Sequence, residues 1–197
     1  MRLRGVARGH GVAHRLKLGV VRVVSGGPPS DVVRLLLYRS ELFGAPLRRY
    51  IHAALRGPSE WTAGERELFA TFVSQCNRCA FCTAAHRAVA ERALGDRVVR
   101  AALDDWRSAP VSGPVRTALG LLERLCRAPE AVGEAELRQA IAGGVSPEGL
   151  ENVLHIAAVF NVINRVADAL GFDVPPPAVF AHEAETLLRL GYDYGPL

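Results

Sequence analysis

Cys76, Cys79, Cys82 and His86 lie within eleven residues near the middle of the chain. On an α-helix, residues three and four apart are neighbours, so Cys79, Cys82 and His86 would stack along one face. The Cα atoms of Cys79 and Cys82 would then lie about 5–6 Å apart, which is within the range that a disulfide accepts. Helical side chains lean toward the helix N-terminus, so His86 would lean over Cys82. The spacing therefore predicts a redox-active dithiol with an imidazole beside it.

Two helices are predicted to position this group. The segment Thr62-Ala-Gly-Glu65 has the pattern of a capping box, which opens a helix. Asn77 then interrupts the apolar spacing, and we expect it to take a left-handed turn or to cap the next helix. Cys79 would lie in the first turn of that helix, where unpaired backbone amides and the helix dipole favour a thiolate. Glu67, on the preceding helix, is a carboxylate that could shuttle the proton of the dithiol.

These residues together resemble a known family. Glu67, followed twelve residues later by Cys79-x-x-Cys82-x-x-x-His86, resembles the alkylhydroperoxidase (AhpD) branch of the carboxymuconolactone decarboxylase superfamily. The surrounding sequence, ERELFATFVSQCNRCAFCTAAH, is similar to the peroxidase-related subgroup of that branch. The cysteine motif is the specific part of the resemblance.

A second stretch extends the resemblance toward the C-terminus. Residues 160–171, FNVINRVADALG, are similar to the C-terminal signature of the same subgroup. The resemblance runs from about Pro28 to about Pro177, which is most of the chain. It implies a helical protein that assembles as a homo-oligomer.

The resemblance also implies a reaction. A peroxidase of this kind reduces hydroperoxides through a dithiol–disulfide cycle, which an external thiol or dithiol reductant resets. The first attack on the peroxide is assigned to Cys82 and the resolving role to Cys79. Glu67 would accept the thiol proton directly or through a water, and His86 would relay it or stabilise the thiolate. No cofactor and no metal is implied.

The residues themselves leave the order of attack open. A helix terminus favours Cys79 as the thiolate, whereas His86 lies nearer to Cys82. The chain also departs from the AhpD branch, which has a histidine between the two cysteines where this chain has Ala80-Phe81. That departure removes one proton carrier and argues against high peroxidase activity, although Phe81 could shape an apolar pocket for organic hydroperoxides. The decarboxylase branch does not rely on this cysteine pair, so its presence argues against decarboxylation.

Other interpretations of the same residues remain. Cys76, Cys79, Cys82 and His86 formally supply four zinc ligands. A straight helix presents them in a line, however, whereas zinc requires a tetrahedron that another part of the chain would have to close. The cysteine pair could also be a non-catalytic redox switch, part of an oligomeric binding module, or two ordinary buried thiols.

Several further polar or sulfur-bearing residues are interpreted as structural. Cys76 continues an apolar helical stripe, and Cys126 is expected to be a small core residue. The polar residues of the 160–171 stretch lie on a mostly apolar helix and need partners there. We expect structural roles for them: Asn161, Asn164, Arg165 and Asp168.

Length and composition fit one folded domain with a basic N-terminal segment. The chain has 197 residues, of which 49% are hydrophobic, so it can bury a sizeable core. The formal charge is +4, but residues 1–24 carry six basic and no acidic residues, so residues 25–197 are slightly negative. We therefore expect no nucleic-acid partner, and no membrane partner because no uninterrupted apolar segment reaches the length of a membrane span. Four unevenly spaced cysteines and no convincing secretory signal favour the cytoplasm.

Apolar residues recur every three or four positions through most of the chain, and no strand pattern is strong. We predict an all-α, AhpD-like helical bundle with the Cys-x-x-Cys at the N-terminal turn of a central helix. Residues 1–24 form a partly disordered or helical segment, in which 11–24 is a helix or a strand, and 25–197 form a single domain. The 147–170 helix is apolar almost all round, which predicts a central position or a subunit interface. The other predicted helices span residues 31–44, 46–57, 62–76, 78–94, 96–106, 115–128, 133–144 and 178–190.

Overall fold

The structure is a computed structural model that describes residues 1–25, 28–38 and 40–193. Within these ranges the regular secondary structure is helical and contains no strand, which confirms the all-α prediction. A chain break was predicted at residues 25–29, and its Gly26 and Gly27 lie outside the described residues. The same is true of Tyr194 in the C-terminal tail.

The helices follow the predicted order with small changes at their ends. The segment 11–24, for which periodicity left helix or strand open, is helical. A π-helix and a short 3₁₀-helix, at Ser40–Gly44 and Pro129–Ala131, complete the described elements. The α-helices are α1 (Arg4–Arg8), α2 (Val12–Ser25), α3 (Asp31–Leu37), α4 (Ala45–Arg56), α5 (Ala63–Cys76), α6 (Ala80–Leu94), α7 (Asp96–Asp105), α8 (Gly113–Arg127), α9 (Glu134–Ala142), α10 (Pro147–Leu170) and α11 (Pro177–Leu190).

The hairpin of α5 and α6 is the centre of the fold. The predicted capping box begins α5: the Thr62 hydroxyl accepts the Glu65 amide at 3.2 Å, and the Glu65 carboxylate accepts the Thr62 amide at 2.8 Å. Helix α5 packs against α10 on one side and against α8 on another, while α6 packs against α11. Ten residues of α5 are buried, so this helix has almost no solvent face.

The turn between α5 and α6 differs from its prediction. Asn77 has right-handed backbone angles (φ −78°, ψ −5°), and it is Arg78 that takes the left-handed conformation, with φ 60°. The side chain of Asn77 is occupied elsewhere, because its amide donates to Asn164 Oδ1 at 2.9 Å on α10. Cys79 is the N-cap residue of α6 and so lies one position before the first turn in which we expected it.

The predicted helix over residues 31–44 is divided into two elements. Helix α3 ends at Leu37, and a π-helix begins at Ser40. Gly44 ends the π-helix in close contact with the Leu36 carbonyl, at a distance that leaves no space for a Cβ atom. Pro46 then lies in the first turn of α4, as predicted, where its missing amide hydrogen costs nothing.

Helix α10 begins and ends where its sequence signals predicted. The Ser146 hydroxyl accepts the Gly149 amide at 2.9 Å, and Gly171 ends the helix in a left-handed conformation with φ 61°. By length and composition alone this helix could cross a membrane, although charged and polar residues interrupt its apolar sequence. Ten of its residues are buried against the rest of the fold, a pattern also found in the core helices of soluble proteins.

The buried apolar residues form two clusters. The larger one contains most of the fully buried side chains, such as Phe69, Phe160 and Leu122. The smaller one lies at the start of α6 and is built around Cys79, Cys82 and three aromatic residues: Phe81, Phe172 and Phe180. The sulfur pair predicted to be redox-active therefore lies in a cluster of its own.

Candidate active site

The two sulfurs of the Cys-x-x-Cys motif lie side by side at the beginning of α6. Cys79 caps the helix, Cys82 lies in its first turn, and the two thiols share a hydrogen bond. Both side chains are buried, with relative exposures of 0% and 3%. The ring of Phe81, between them in sequence, makes edge contacts with Phe172 at 5.3 Å and Phe180 at 5.7 Å. The pair is therefore closed from bulk solvent by aromatic side chains.

The shared hydrogen bond gives the two sulfurs different acidities. It lowers the pKa of Cys79, to which the Cys82 thiol donates, and the backbone amide of Cys82 lowers it further against the opposing effect of burial. The same hydrogen bond raises the pKa of Cys82, and burial adds to that rise. These contacts therefore favour Cys79 as the site of the negative charge when the pair loses one proton.

Helix α10 supplies one polar side chain to each sulfur. Asn164 hydrogen-bonds to Cys82 and lowers its pKa, whereas Asp168 hydrogen-bonds to Cys79 and raises its pKa. The two residues are four positions apart and so lie one above the other on the helix face that meets the start of α6. Asn164 is fully buried, while Asp168 is exposed to solvent. A solvent-exposed carboxylate thus reaches one of two buried thiols.

A network of polar side chains holds Asn164 in place. Its Oδ1 accepts the Asn77 amide at 2.9 Å, and its own amide donates to Ser74 Oγ at 3.1 Å. The Asn77 amide also lies 3.2 Å from Asn161 Oδ1. These contacts satisfy the buried amide and tie α10 to the end of α5.

Glu67 lies on α5 at the centre of a second polar group. Its carboxylate is completely buried and is bound by three side chains: His86 Nδ1 at 2.7 Å, Arg56 Nη2 at 2.6 Å and the Tyr192 hydroxyl at 2.8 Å. Burial by itself raises the pKa of Glu67, but the hydrogen bond and charge of His86, the charge of Arg56 and the hydrogen bond from Tyr192 together lower it below its usual value. Glu67 is therefore a carboxylate at neutral pH.

His86 is the member of the Glu67 group that lies on the same helix as the two sulfurs. It lies one helical turn after Cys82 on α6, and its ring packs edge-on against Phe160 with the centroids 4.6 Å apart. A proton on Nδ1 would be donated to Glu67, which leaves Nε2 as the basic nitrogen in the neutral ring. The three contacts described for Glu67 are with His86, Arg56 and Tyr192, and none is with a sulfur. It would therefore act on a sulfur through His86 rather than directly.

Four residues of this arrangement were not predicted from the sequence. Arg56 and Tyr192 reach Glu67 from parts of the chain that no local pattern connects to it. Asn164 and Asp168 were noticed but interpreted as structural. Their spacing of four residues on an otherwise apolar helix was the signal that could have identified them, because it predicts a short polar stripe facing one neighbour.

The zinc interpretation is not supported by the geometry. Among the residues that the structure describes, no group of three or more His, Cys, Asp or Glu side chains is arranged to hold a metal ion. Cys76 hydrogen-bonds to Cys126 on α8, so it is turned away from the Cys79–Cys82 pair. The four side chains that formally supplied zinc ligands are thus divided between two parts of the fold.

The comparisons with known proteins agree with this fold. The carboxymuconolactone decarboxylase family model matches residues 41–123, which include Glu67, both sulfurs and His86. A search among curated proteins finds no match. Among solved structures, an uncharacterised peroxidase-related protein from Silicibacter sp. TM1040 shares 21% identity with a TM-score of 0.76, over 88% of this chain and 91% of the other.

Two further solved structures have the same architecture. The alkylhydroperoxidase AhpD core of an uncharacterised peroxidase-related protein from Ralstonia eutropha JMP134 is 24% identical, with a TM-score of 0.73 over 89% of this chain and 90% of the other. The debrominase Bmp8 is 14% identical, with a TM-score of 0.68 over 89% and 94%. Similarity at these identities concerns the fold. The chain thus has an AhpD-like fold, and its residues 41–123 are similar to the carboxymuconolactone decarboxylase family.

Proposed function

We propose that this chain is a thiol-dependent peroxidase that reduces hydroperoxides through a cycle between the Cys79–Cys82 dithiol and its disulfide. The observation that carries the proposal is the hydrogen-bonded thiol pair at the start of α6, with Asp168 against one sulfur. The buried His86–Glu67 pair, one helical turn beyond Cys82, supports it further. The family match and the AhpD-core neighbour are consistent with the same assignment.

In the first step, the Cys79 thiolate attacks one oxygen of the hydroperoxide. A sulfur–oxygen bond forms, the O–O bond breaks, and the leaving alkoxide takes a proton to become an alcohol, so that Cys79 becomes a sulfenic acid. The lowered pKa of Cys79 supports this order, whereas the resemblance to the family implied that Cys82 attacks first. Asp168 accepts the Cys79 proton beforehand and, being exposed, exchanges it with solvent.

In the second step, Cys82 attacks the sulfenic sulfur. A disulfide bond forms, and hydroxide leaves as water once it has taken a proton. Because the pKa of Cys82 is raised, this thiol needs a base at that moment. His86 accepts the proton, and Glu67 stabilises the resulting imidazolium. An external thiol or dithiol then reopens the disulfide by exchange, and no cofactor takes part.

The surroundings of the sulfurs favour organic hydroperoxides with an apolar group. Phe81 occupies the position where the AhpD branch has a histidine, and it packs against Phe172 and Phe180. An apolar substrate group can replace contacts between these rings, whereas hydrogen peroxide cannot. We expect kcat/KM for cumene hydroperoxide to exceed that for hydrogen peroxide in an assay with dithiothreitol as reductant. Equal or reversed values would contradict an apolar substrate.

The proposed function is tested by removing each sulfur in turn. Cys79→Ser and Cys82→Ser are each expected to abolish turnover of cumene hydroperoxide, because the cycle needs both thiols. Cys126→Ser serves as the matched control, since this cysteine lies on α8 and belongs to neither site group. Turnover at an undiminished rate in both single variants would refute the proposal.

The burial of both sulfurs favours a second candidate, in which the pair is a non-catalytic redox switch. In that case peroxide would oxidise the pair slowly and once, and the disulfide would alter contacts between subunits. Stopped-flow oxidation together with light scattering separates the two functions. Rapid, repeated oxidation without a change in mass supports the peroxidase, whereas slow oxidation with a change in mass supports the switch.

We also propose that the chain forms a homo-oligomer. The apolar helix α10 has Val162 exposed at 48%, and α4 exposes Tyr50 at 38%. Exposed apolar side chains on central helices are typical of subunit interfaces. Analytical ultracentrifugation of the reduced protein would give more than one chain per particle, and a monomer across the micromolar range would contradict the proposal.

A further inference from the structure

The remaining two cysteines also form a pair, although they are distant in sequence. Cys76 is the last residue of α5, and Cys126 is the penultimate residue of α8, which packs against α5. Both side chains pack against the larger apolar cluster, and a hydrogen bond between the two thiols is the largest cause of the pKa shift of each. We propose that Cys76 and Cys126 are a second redox dithiol, which closes into a disulfide joining α5 to α8. This proposal does not depend on the proposed function.

The second pair is more accessible than the first. Cys76 and Cys126 are both half-buried, whereas Cys79 and Cys82 are buried. An oxidant or a thiol reductant can therefore meet the second pair at the protein surface. Accessible thiols with thiolate character are the ones that oxidise selectively.

The charges around the pair favour one thiolate and one thiol. The hydrogen bond from Cys126 lowers the pKa of Cys76, burial opposes this, the positive charge of Arg127 lowers it again and the negative charge of Glu123 raises it. The same hydrogen bond and burial raise the pKa of Cys126, while Arg165 and Arg127 lower it. Glu123 is itself paired with Arg127 at 3.1 Å and with Arg107 at 2.8 Å, so its charge is largely neutralised. These charges and contacts favour Cys76 as the nucleophile and Cys126 as the resolving thiol.

The backbone keeps the two pairs apart despite the closeness of Cys76 and Cys79 in sequence. Arg78, in its left-handed conformation, reverses the chain between them. Cys76 then packs against the larger apolar cluster, while Cys79 belongs to the smaller one. The geometry therefore favours the disulfides Cys76–Cys126 and Cys79–Cys82 over any exchange between Cys76 and Cys79.

The oxidation is balanced with a hydroperoxide as the oxidant. The Cys76 thiolate attacks the peroxide oxygen, which forms a sulfenic acid and releases an alcohol after the alkoxide takes a proton. Cys126 then attacks the sulfenic sulfur, a disulfide forms, and water leaves. The two sulfurs lose two electrons, which reduce the O–O bond. A dithiol reductant reverses the change by exchange.

Peptide mapping of the full chain tests the proposal directly, because arginines separate Cys76 and Cys126 from each other and from the Cys79–Cys82 pair. Trypsin cleaves after Arg66, Arg78 and Arg87, and also after Arg124 and Arg127. Cys76 is then in peptide 67–78, Cys79 and Cys82 in 79–87, and Cys126 in 125–127. After oxidation with cumene hydroperoxide and alkylation of free thiols, we expect peptide 67–78 linked to 125–127. A link between 67–78 and 79–87, or Cys76 and Cys126 that stay free during prolonged exposure to excess peroxide, would overturn the proposal.

A double variant, Cys79→Ser with Cys82→Ser, separates this proposal from the proposed function. We expect the link between 67–78 and 125–127 to form in it as in the unmodified chain. Its loss would mean that the second pair is oxidised only through the first, which contradicts an independent dithiol. If the link forms but the double variant turns over cumene hydroperoxide as fast as the unmodified chain, only the proposed function fails.

The hydrogen bond between the thiols is tested with two matched substitutions of the same residue. Cys126→Ser and Cys126→Ala both remove the disulfide, but only serine keeps a hydroxyl that can donate to Cys76. The pH midpoint for alkylation of Cys76 by iodoacetamide is expected to be higher in the alanine variant than in the serine variant. Equal midpoints would overturn the assignment of Cys76 as the activated thiol.

Discussion

The two cysteine pairs of this protein have the same kind of contact in opposite surroundings. In both pairs one thiol donates a hydrogen bond to the other, and the acceptor has the lower pKa. The Cys79–Cys82 pair, however, is buried among aromatic rings and meets a carboxylate, whereas the Cys76–Cys126 pair is half-buried beside arginines. The difference teaches that hydrogen bonding alone does not define a reactive site. Access and the nearby proton acceptors decide what the sulfurs can do.

The largest difference between the pairs is expected in turnover. Among the residues that the structure describes, the side chains that we propose as proton carriers, Asp168 and the His86–Glu67 pair, lie beside the first pair only. Cys79→Ser or Cys82→Ser should therefore abolish hydroperoxide turnover, while Cys76→Ser should leave kcat within about twofold, since rates respond only to groups that act in the transition state. A coupled assay for the alcohol product measures both. Equal loss from substitutions in the two pairs would remove the distinction between them.

His86 should be the next most sensitive position. His86→Gln keeps a side chain that can donate a hydrogen bond to Glu67 but cannot accept the Cys82 proton. We expect kcat to fall by about 10²–10⁴-fold, the usual contribution of a general base. His155→Gln is the control, because this exposed histidine contacts Tyr50 and Glu151 far from the sulfurs in sequence. An unchanged kcat in His86→Gln would show that the second step needs no base on α6.

Glu67→Gln should have the largest effect on stability. It removes the negative charge that pairs with Arg56 and His86. Removing one partner of a buried ion pair costs about 3–5 kcal/mol of the free energy of unfolding. Thermal unfolding would measure the change. Glu91→Gln, which breaks the partly exposed pair with Arg87 on α6, is expected to cost about 0.5 kcal/mol.

The pKa of Glu67 also predicts a pH dependence. Because its folded-state pKa is lowered, Glu67 stabilises the fold above its unfolded value of about 4.5, and this contribution disappears as the pH falls through the folded-state pKa. The stability difference between the unmodified chain and Glu67→Gln should therefore shrink below about pH 4.5. A difference that stays constant down to acid pH would contradict the lowered pKa.

A smaller effect is expected at Asp168. Its charge raises the pKa of Cys79, so Asp168→Asn should lower the pH midpoint for alkylation of that cysteine. If Asp168 also accepts the Cys79 proton, turnover will decrease although more thiolate is present. Asp104→Asn, at an exposed position of α7, should change neither quantity. An unchanged midpoint in Asp168→Asn would place this carboxylate outside the site.

Local sequence signals predicted the helices well, because the interactions that begin and end helices are local. The capping box at Thr62, the start of α10 at Ser146 and its end at Gly171 all depend on residues within one turn. Prediction was weakest where tertiary contacts determine the backbone conformation. Arg78 rather than Asn77 takes the left-handed turn, and the Asn77 amide is instead held by α10.

The site was likewise predictable where its residues lie on one helix, and not where distant parts of the chain meet. The proximity of Cys79, Cys82 and His86 follows from one helix, so spacing alone indicated it. The partners of Glu67 could not be predicted, since Arg56 comes from the preceding helix and Tyr192 from the far end of the described chain. The Cys76–Cys126 contact likewise depends on how α5 packs against α8, which no spacing in the sequence encodes.

The central claim is that Cys79 and Cys82 are the sulfurs that reduce peroxide. The most direct measurement is a short pulse of cumene hydroperoxide on the reduced full chain, quenched by alkylation and followed by tryptic mass spectrometry of peptides 67–78, 79–87 and 125–127. The account predicts that sulfenic acid appears first at Cys79 and converts to a disulfide within peptide 79–87 before peptide 67–78 is oxidised. Faster oxidation of Cys76, with peptide 79–87 still fully alkylated, would contradict it.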